Sequence, residues 1–386
     1  MLGAAEQNGY RCTAFFLLLF EGFAMTDILY AAPLSLYSGK ARAYMDWKNI
    51  DYREELSRPE VYRDVIIPAV GRPVIPVVQL SDDRILQDTT KIIDHYEAVE
   101  AGPSVYPETP VQHLVALLFE SYGDEWLVIP AMHYRWNYNE EWVYGEFGKV
   151  AHPDGTPEEQ YTIGKERGTE FKGFCPVLGI NDDTIPAIEA SYEALLAELD
   201  AHFASHDYLL GSRPSIGDYG LIGPLYAHLY RDPASGKIMQ RLASNVVGWV
   251  KRMVTVDAPL SGAFLADDII PETLYPILKR MMAEYIPWLQ NVADMLESWA
   301  RENADEALPR AVGFAPFTIE GTQGARVAIP FSLWMHQRPL DAYQALDGKA
   351  LARAETLLDK VGGVPFRDFR LPQRVDFVDH EIVLAS

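Results

Sequence analysis

The stretch Asp27-Ile28-Leu29-Tyr30-Ala31-Ala32-Pro33-Leu34-Ser35-Leu36-Tyr37-Ser38-Gly39-Lys40-Ala41-Arg42 decides the fold. It does so together with Arg72-Pro73-Val74-Ile75-Pro76-Val77-Val78 and Ile85-Leu86-Gln87-Asp88-Thr89-Thr90-Lys91-Ile92-Ile93 downstream. Ile28–Ala32 is a short apolar run and predicts a strand. Ser38–Lys48 has helical composition and closes on Asn49, and Tyr52–Glu54 supplies a second strand. Arg58–Ile67 is a loose helical region containing Pro59, with Pro68 directly after it. Val74–Leu80 and Arg84–Leu86 predict a hairpin around Ser81-Asp82-Asp83. Thr89–Val99 predicts a closing helix, ended by Gly102-Pro103. The order is strand, helix, strand, helix, strand, strand, helix.

Working outward, 386 residues suffice for two domains with ordinary cores and an appendage. Hydrophobic content of 48% and charged content of 23% are those of a globular chain. A net charge of -22 argues against nucleic acid, whose binding is driven by Lys and Arg displacing counterions. It equally disfavours an anionic membrane surface. The two cysteines, Cys12 and Cys175, form no CxxC pair and no zinc spacing, so no metal is expected, and a reducing compartment suits them. Phe15–Phe20 is too short to span a bilayer, and residues 1–24 read as an upstream extension ahead of Met25 rather than an export signal.

The Pro-rich segment 102–110 marks a domain boundary. Beyond it, Val111–Asn137 is apolar-periodic with a kink expected at Pro130. Residues 142–176 lose helical periodicity and read as an insertion. Thr184–Ser205 predicts an amphipathic helix, and Gly236–Val256 and Glu272–Asn303 two more. After Pro309 the character changes. Phe317–Glu320 and Arg326–Ile329 predict a hairpin around the five residues Gly321–Ala325, and Lys349–Val361 a helix with Gly362 at C′.

Several of these residues carry chemistry. Ser38 falls at the expected N-terminus of the first helix, where free N–H groups and the helix dipole favour an anion. A thiol held there is pushed toward thiolate, although the same serine serves equally as a plain N-cap. Pro76 inside an apolar strand removes a ladder donor and must be an edge or a special position. Asp88-Thr89 stands where an N-cap and first-turn residue belong.

In this order and spacing the motifs resemble the glutathione-binding domain of the glutathione transferase superfamily. The resemblance implies a thioredoxin-like α/β N-terminal domain over 25–102 and an all-α domain over 110–303, with an insertion at 142–176. A small α+β appendage over 309–386 departs from the compact pattern. Ser38-Gly39-Lys40-Ala41-Arg42 is similar to the S-x-x-x-R helix start of serine-type transferases, which implies that Ser38 activates the glutathione sulfur. Tyr37 is the alternative, and Ser35 a third hydroxyl at the glutathione site. By the same resemblance Pro76 is cis and Ile75 pairs its backbone with the cysteinyl portion of glutathione. Asp88 and Thr89 meet the γ-glutamyl amine and carboxylate, and Ser215-Ile216-Gly217-Asp218 is similar to the family's capping box. Tyr122, Trp126, His133 and Trp136 belong to the helix that lines the substrate pocket in such enzymes, although an aromatic stripe at this spacing is more often core. The implied protein is a cytoplasmic homodimeric transferase or lyase in which glutathione thiolate attacks an electrophilic carbon of a small hydrophobic substrate. The alternative is a transferase-like binding or scaffold protein without catalysis.

Overall fold

The computed structural model describes residues 26–256 and 260–385, so the expected extension over 1–24 and Cys12 lie outside the described residues. Strands β1 (Asp27–Ala31), β2 (Tyr52–Leu56), β3 (Val77–Gln79) and β4 (Ile85–Gln87) form a sheet in the order β2-β1-β3-β4. β1 runs parallel to β2 and antiparallel to β3, and β3 pairs antiparallel with β4. Alternation along the strands divides the side chains between two faces. Leu29, Ala31 and Val78 pack with Ala41 and Tyr44 of helix α1 (Leu36–Lys48) and with Ile92 and Tyr96 of helix α2 (Thr89–Val99). Tyr30 and Val77 face Val61, Ile66 and Val70 on the opposite side, in a helical stretch that passes through a π turn at Tyr62–Ile66. This is the thioredoxin-like layering.

The helical domain follows. Helix α3 (Pro110–Glu125) ends at Trp126, and α4 (Val128–Tyr138) starts two residues later. The break therefore precedes Pro130, which sits in the first turn of α4, where a missing N–H costs nothing. The expected insertion folds as two helices, α5 (Glu140–Ala151) and α6 (Pro157–Lys172), which correct the loss of periodicity read at 142–176. Glycine explains the misreading. A Cβ on Gly148 would lie 1.7 Å from the Gln160 carbonyl oxygen, and one on Gly164 would lie 1.8 Å from that of Tyr144. Residues that weaken each helix alone let the two backbones touch.

Helices α7 (Ile185–Phe203), α8 (Ile216–Ala227), α9 (Pro233–Leu242) and α10 (Ser244–Met253) follow, the last two splitting the single helix expected at 236–256. Ser215 and Asp218 close a capping box at the start of α8. Helix α11 (Ile286–Glu302) continues a helical run broken only by a π turn at Met281–Tyr285. α3 and α8 meet backbone to backbone, since a Cβ on Gly123 would fall 2.3 Å from the Gly220 oxygen. Gly123→Ala is expected to lower stability by about 1–3 kcal/mol in urea unfolding, because rigid backbone must shift to admit the methyl.

The appendage pairs β5 (Phe314–Ile319) with β6 (Thr322–Val327). Its turn is the two residues Glu320-Gly321, both at positive φ, rather than the five expected. Helices α12 (Pro330–Gln344) and α13 (Gly348–Val361) follow, the latter capped by left-handed Gly362, and then the hairpin of β7 (Val375–Val378) and β8 (Glu381–Leu384). This layer covers α3 and reaches α2: Phe317 stacks edge-on against Trp126, and Lys91 lies over the Trp334 and Phe377 rings.

Candidate functional site

The sheet register places three loops at one end of the first domain. Tyr30 pairs with Val77, and Val77 with Gln87. The exit of β1, the entry to β3 and the exit of β4 are therefore neighbours. These are the loop to Ser35, the Ile75-Pro76 pair and Asp88-Thr89.

Ser35 is the N-cap of α1, in extended conformation, and its Oγ accepts the Ser38 N–H at 3.2 Å. The helix thus begins earlier than its composition suggests, and Ser38 lies inside the first turn. Ser38 is fully buried, and its Oγ accepts the Ala32 N–H at 3.3 Å. That geometry makes Ser38 a lock on the loop, while the half-buried Ser35 presents its hydroxyl at the helix terminus. The physical reason is local: Leu36 buries in the core and enters the helix, so the serine before it takes the cap. Tyr37 donates its phenol proton to the Asp124 carbonyl at 3.1 Å. Burial, with the Glu125, Asp124 and Asp88 carboxylates, pushes that phenol well above its ordinary pKa. It stays neutral, with its proton already committed.

Two arginines clamp the loop ahead of Ser35. Arg135 of α4, 2% exposed, donates to the Leu34 carbonyl at 2.6 Å and the Ala227 carbonyl at 2.7 Å, and grips Asp232 bidentately at 2.7 and 2.8 Å. Arg231 donates to the Pro33 carbonyl at 2.6 Å while pairing with Glu146 of α5 at 3.2 Å. The insertion therefore buttresses the site loop. Neither arginine belongs to a recognisable motif, because each acts on backbone about 100 or 200 residues away.

The Ile75–Pro76 peptide bond is cis, and Ile75 lies just outside the ladder. Asp88 caps α2: its Oδ1 accepts the N–H groups of Thr90 at 2.8 Å and Lys91 at 3.3 Å, so Oδ2 keeps its acceptor capacity. Asp88 holds φ +81°, a conformation a non-glycine residue adopts only at a cost of about 1–3 kcal/mol. Burial pushes its carboxyl upward, opposed by Lys40 and by the two capping N–H groups.

Beneath these loops Lys40 joins the two domains. Buried with no exposure, its Nζ reaches Asp124 at 2.5 Å, Glu120 at 2.9 Å and Thr90 Oγ1 at 3.4 Å. Burial opposes its charge, but the two carboxylates hold its pKa above the ordinary value. Arg338 of α12, 3.8 Å from Glu120 and 2.7 Å from Asp94, supplies the second positive charge.

The aromatic residues expected to line a substrate pocket occupy the core instead. Tyr122, Trp126, His133 and Trp136 are each at most 1% exposed. Tyr122 and Trp126 pack on Tyr285, Trp126 on Trp288 and Phe317, and Trp136 on Tyr144 and Phe147. His133 is held between Glu189 at 3.0 Å and Asn137 at 2.7 Å, and burial lowers its pKa. Helix α11 and the appendage cover Trp126, α5 covers Trp136, and α7 covers His133. Cys175 is buried, its thiol pushed up to about 11.

Residues 29–104 match the family described as glutathione S-transferase, N-terminal domain, and residues 182–252 match glutathione S-transferase, C-terminal domain. The chain carries both domains of a glutathione transferase. Among solved structures it is similar to the beta-etherase LigF from Sphingobium sp. strain SYK-6, at 19% identity and a TM-score of 0.45, over 61% of this chain and 97% of that one. It is also similar to FzlA from C. crescentus, at 16% identity and a TM-score of 0.37, over 63% and 97%. The Tau class glutathione S-transferase from mango, Mangifera indica, follows at 16% and 0.40, over 65% and 94%. No curated protein sequence matches the chain. The two glutathione transferase domains account for the sheet with its three loops and for the helices α7 to α10, whereas α5, α6 and the appendage lie outside both matches. Among the described residues no helix is long and apolar enough to cross a membrane.

Proposed function

We propose that the protein is a glutathione-dependent transferase or lyase that joins the tripeptide sulfur to an electrophilic carbon of a hydrophobic substrate, with Ser35 as the activating hydroxyl. The observation that carries the reading is the convergence of the Ser35 cap, the Ile75–Pro76 pair and the Asp88-Thr89 helix start at one end of the sheet. The residues present fit the tripeptide. The Asp88 Oδ2 is available to an ammonium, the start of α2 to a carboxylate and the Ile75 backbone to a peptide unit. Glutathione supplies the nucleophilic sulfur when bound.

The chain's own groups make that sulfur reactive. A hydrogen bond from the Ser35 hydroxyl to a charged acceptor contributes about 1.5–3 kcal/mol, and the α1 terminus about 0.3–1. At about 1.4 kcal/mol per pKa unit, together they lower a thiol pKa by roughly one to three units. Arg135 and Arg231 fix the carbonyls before Ser35, so the hydroxyl is aimed before any ligand arrives. A homodimer in the cytoplasm is the assembly and setting we propose with this activity.

The test is the pH dependence of thiolate absorbance for protein-bound glutathione in wild type, Ser35→Ala and Ser38→Ala. The expected result is a depressed thiol pKa in wild type that rises by roughly one to two units in Ser35→Ala. Ser38→Ala should lower stability and leave that pKa in place. The opposite pattern returns the role to Ser38. Absence of binding at millimolar glutathione overturns this reading and brings forward the alternative of a transferase-like binding or scaffold protein.

A further inference from the structure

We propose that the cavity between the start of α11 and the β5–β6 hairpin is a binding site for a small aromatic carboxamide. The inference stands apart from the glutathione-dependent reading. The cavity holds about 180 Å³, and Glu284, Pro287, Trp288, Pro316, Phe317 and Gln323 line it. Glu284 is 8% exposed and Trp288 1%, yet Glu284 Oε2 and Trp288 Nε1 have no hydrogen-bond partner among the described residues. The two residues stand four apart in the helical run that passes through Met281–Tyr285 into α11, so they share one face. An unused acceptor and an unused donor therefore border a single space, a costly pairing unless one guest satisfies both.

The surrounding groups are already committed. Glu284 Oε1 accepts the Glu320 N–H at 2.8 Å, which fixes that oxygen and leaves Oε2. Arg280 faces the carboxylate, but its Nη1 goes to Glu320 and its Nη2 to Glu198 at 3.0 Å. Arg326 lies 4.1 Å from the centroid of the Trp288 ring and Tyr285 stacks on that ring at 24°, so an edge is left for the cavity. A carboxamide carries an acceptor and two donors in one plane. Its oxygen takes the indole N–H while its own N–H goes to the carboxylate. Size selects the rest of the ligand. A cavity of about 150 Å³ holds a benzene ring, and Pro287 and Phe317 supply the apolar contact such a ring needs. Pro316 and Gln323 are exposed, so the space is reached from solvent.

The test titrates benzamide, acetophenone and benzoate into protein labelled with 15N at its 8 tryptophans and follows the indole N–H resonances at pH 8. That pH lies above the value of about 7 to which burial raises Glu284, so the carboxylate is present. The Trp288 signal is identified by its loss in Trp288→Phe or, should that variant not fold, by its movement in Glu284→Gln. Benzamide is expected to move it saturably. Acetophenone, which has a methyl in place of the amide nitrogen, should bind at least about tenfold more weakly, the scale of one hydrogen bond to a charged group. Benzoate should bind more weakly than benzamide too, since its charge meets that of Glu284. Glu284→Gln keeps the bond from the Glu320 N–H and puts an amide nitrogen where Oε2 stood, so it should erase the preference for benzamide over acetophenone. A Trp288 signal unmoved by benzamide overturns the proposal and leaves the pair to water. Equal affinity for benzamide and acetophenone in wild type overturns it as well, as does a preference that survives Glu284→Gln.

Discussion

Arg135→Met is expected to lower the unfolding free energy by about 3–5 kcal/mol in urea denaturation, the scale for stranding one member of a buried ion pair. Asp232 is fully buried and its two oxygens both go to Arg135, so the variant leaves an uncompensated carboxylate in the core. It also leaves the Leu34 and Ala227 carbonyls without that donor. The double variant Arg135→Met/Asp232→Leu should recover much of the loss, because it removes the charge as well as its partner. A single variant as stable as wild type would show that water reaches Asp232. The double variant should still bind glutathione with a less depressed thiol pKa, since the Leu34 carbonyl that sets the Ser35 loop is released in both.

The second large effect concerns pH. Glu284, in the π turn ahead of α11, is 8% exposed and burial pushes its carboxyl up to about 7. The groups facing it are the Glu320 N–H, which donates to Oε1 at 2.8 Å, the Arg280 guanidinium, and the Glu320 and Glu198 carboxylates. Because the folded value lies above the unfolded one, the native state binds more protons through the interval from 4.5 to about 7. Stability therefore falls as pH rises across that window, by up to about 1.4 kcal/mol per unit, and is flat above it with respect to this group. Glu284→Gln should remove that slope and raise stability at pH 8 relative to wild type. Parallel stability–pH curves for the two proteins would show that Glu284 is solvated in the native state.

The first domain was legible because its signals are local. The run at 28–32, the Ile75-Pro76 pair and the Asp88 cap each declare their structure within a few residues, and the structure places strands, a cis bond and a helix start there. The identity of the cap on α1 was open to the same logic. Ser35 precedes Leu36, the first buried helical residue, and the cap rule alone selects it over Ser38. The S-x-x-x-R spacing drew attention to Ser38, which lies inside the first turn, rather than to the serine that caps the helix. The helices of the insertion were obscured because glycines at 148 and 164 read as breakers, while their use is a backbone contact that only the partner helix reveals. Arg135, Arg231, Lys40 and Arg326 carry no local signature at all. Each is defined by acceptors on distant elements, and a charged residue in a helix or strand ordinarily reads as a solvated face.

The appendage reaches back to the first domain: Met335 meets Thr90, 245 positions earlier, and Arg338 grips Asp94. Translation separates those partners in time. At about 5–20 residues per second, Met335 is made roughly 12 to 50 seconds after Thr90, long after a first domain of this size has had time to collapse. The nascent protein therefore exists for much of its synthesis with the first domain and its three converging loops formed and their cover absent. During that interval the α3 face around Trp126 is bare apolar surface in need of shelter on the ribosome, so slowing elongation between 126 and 317 should raise the demand for chaperones.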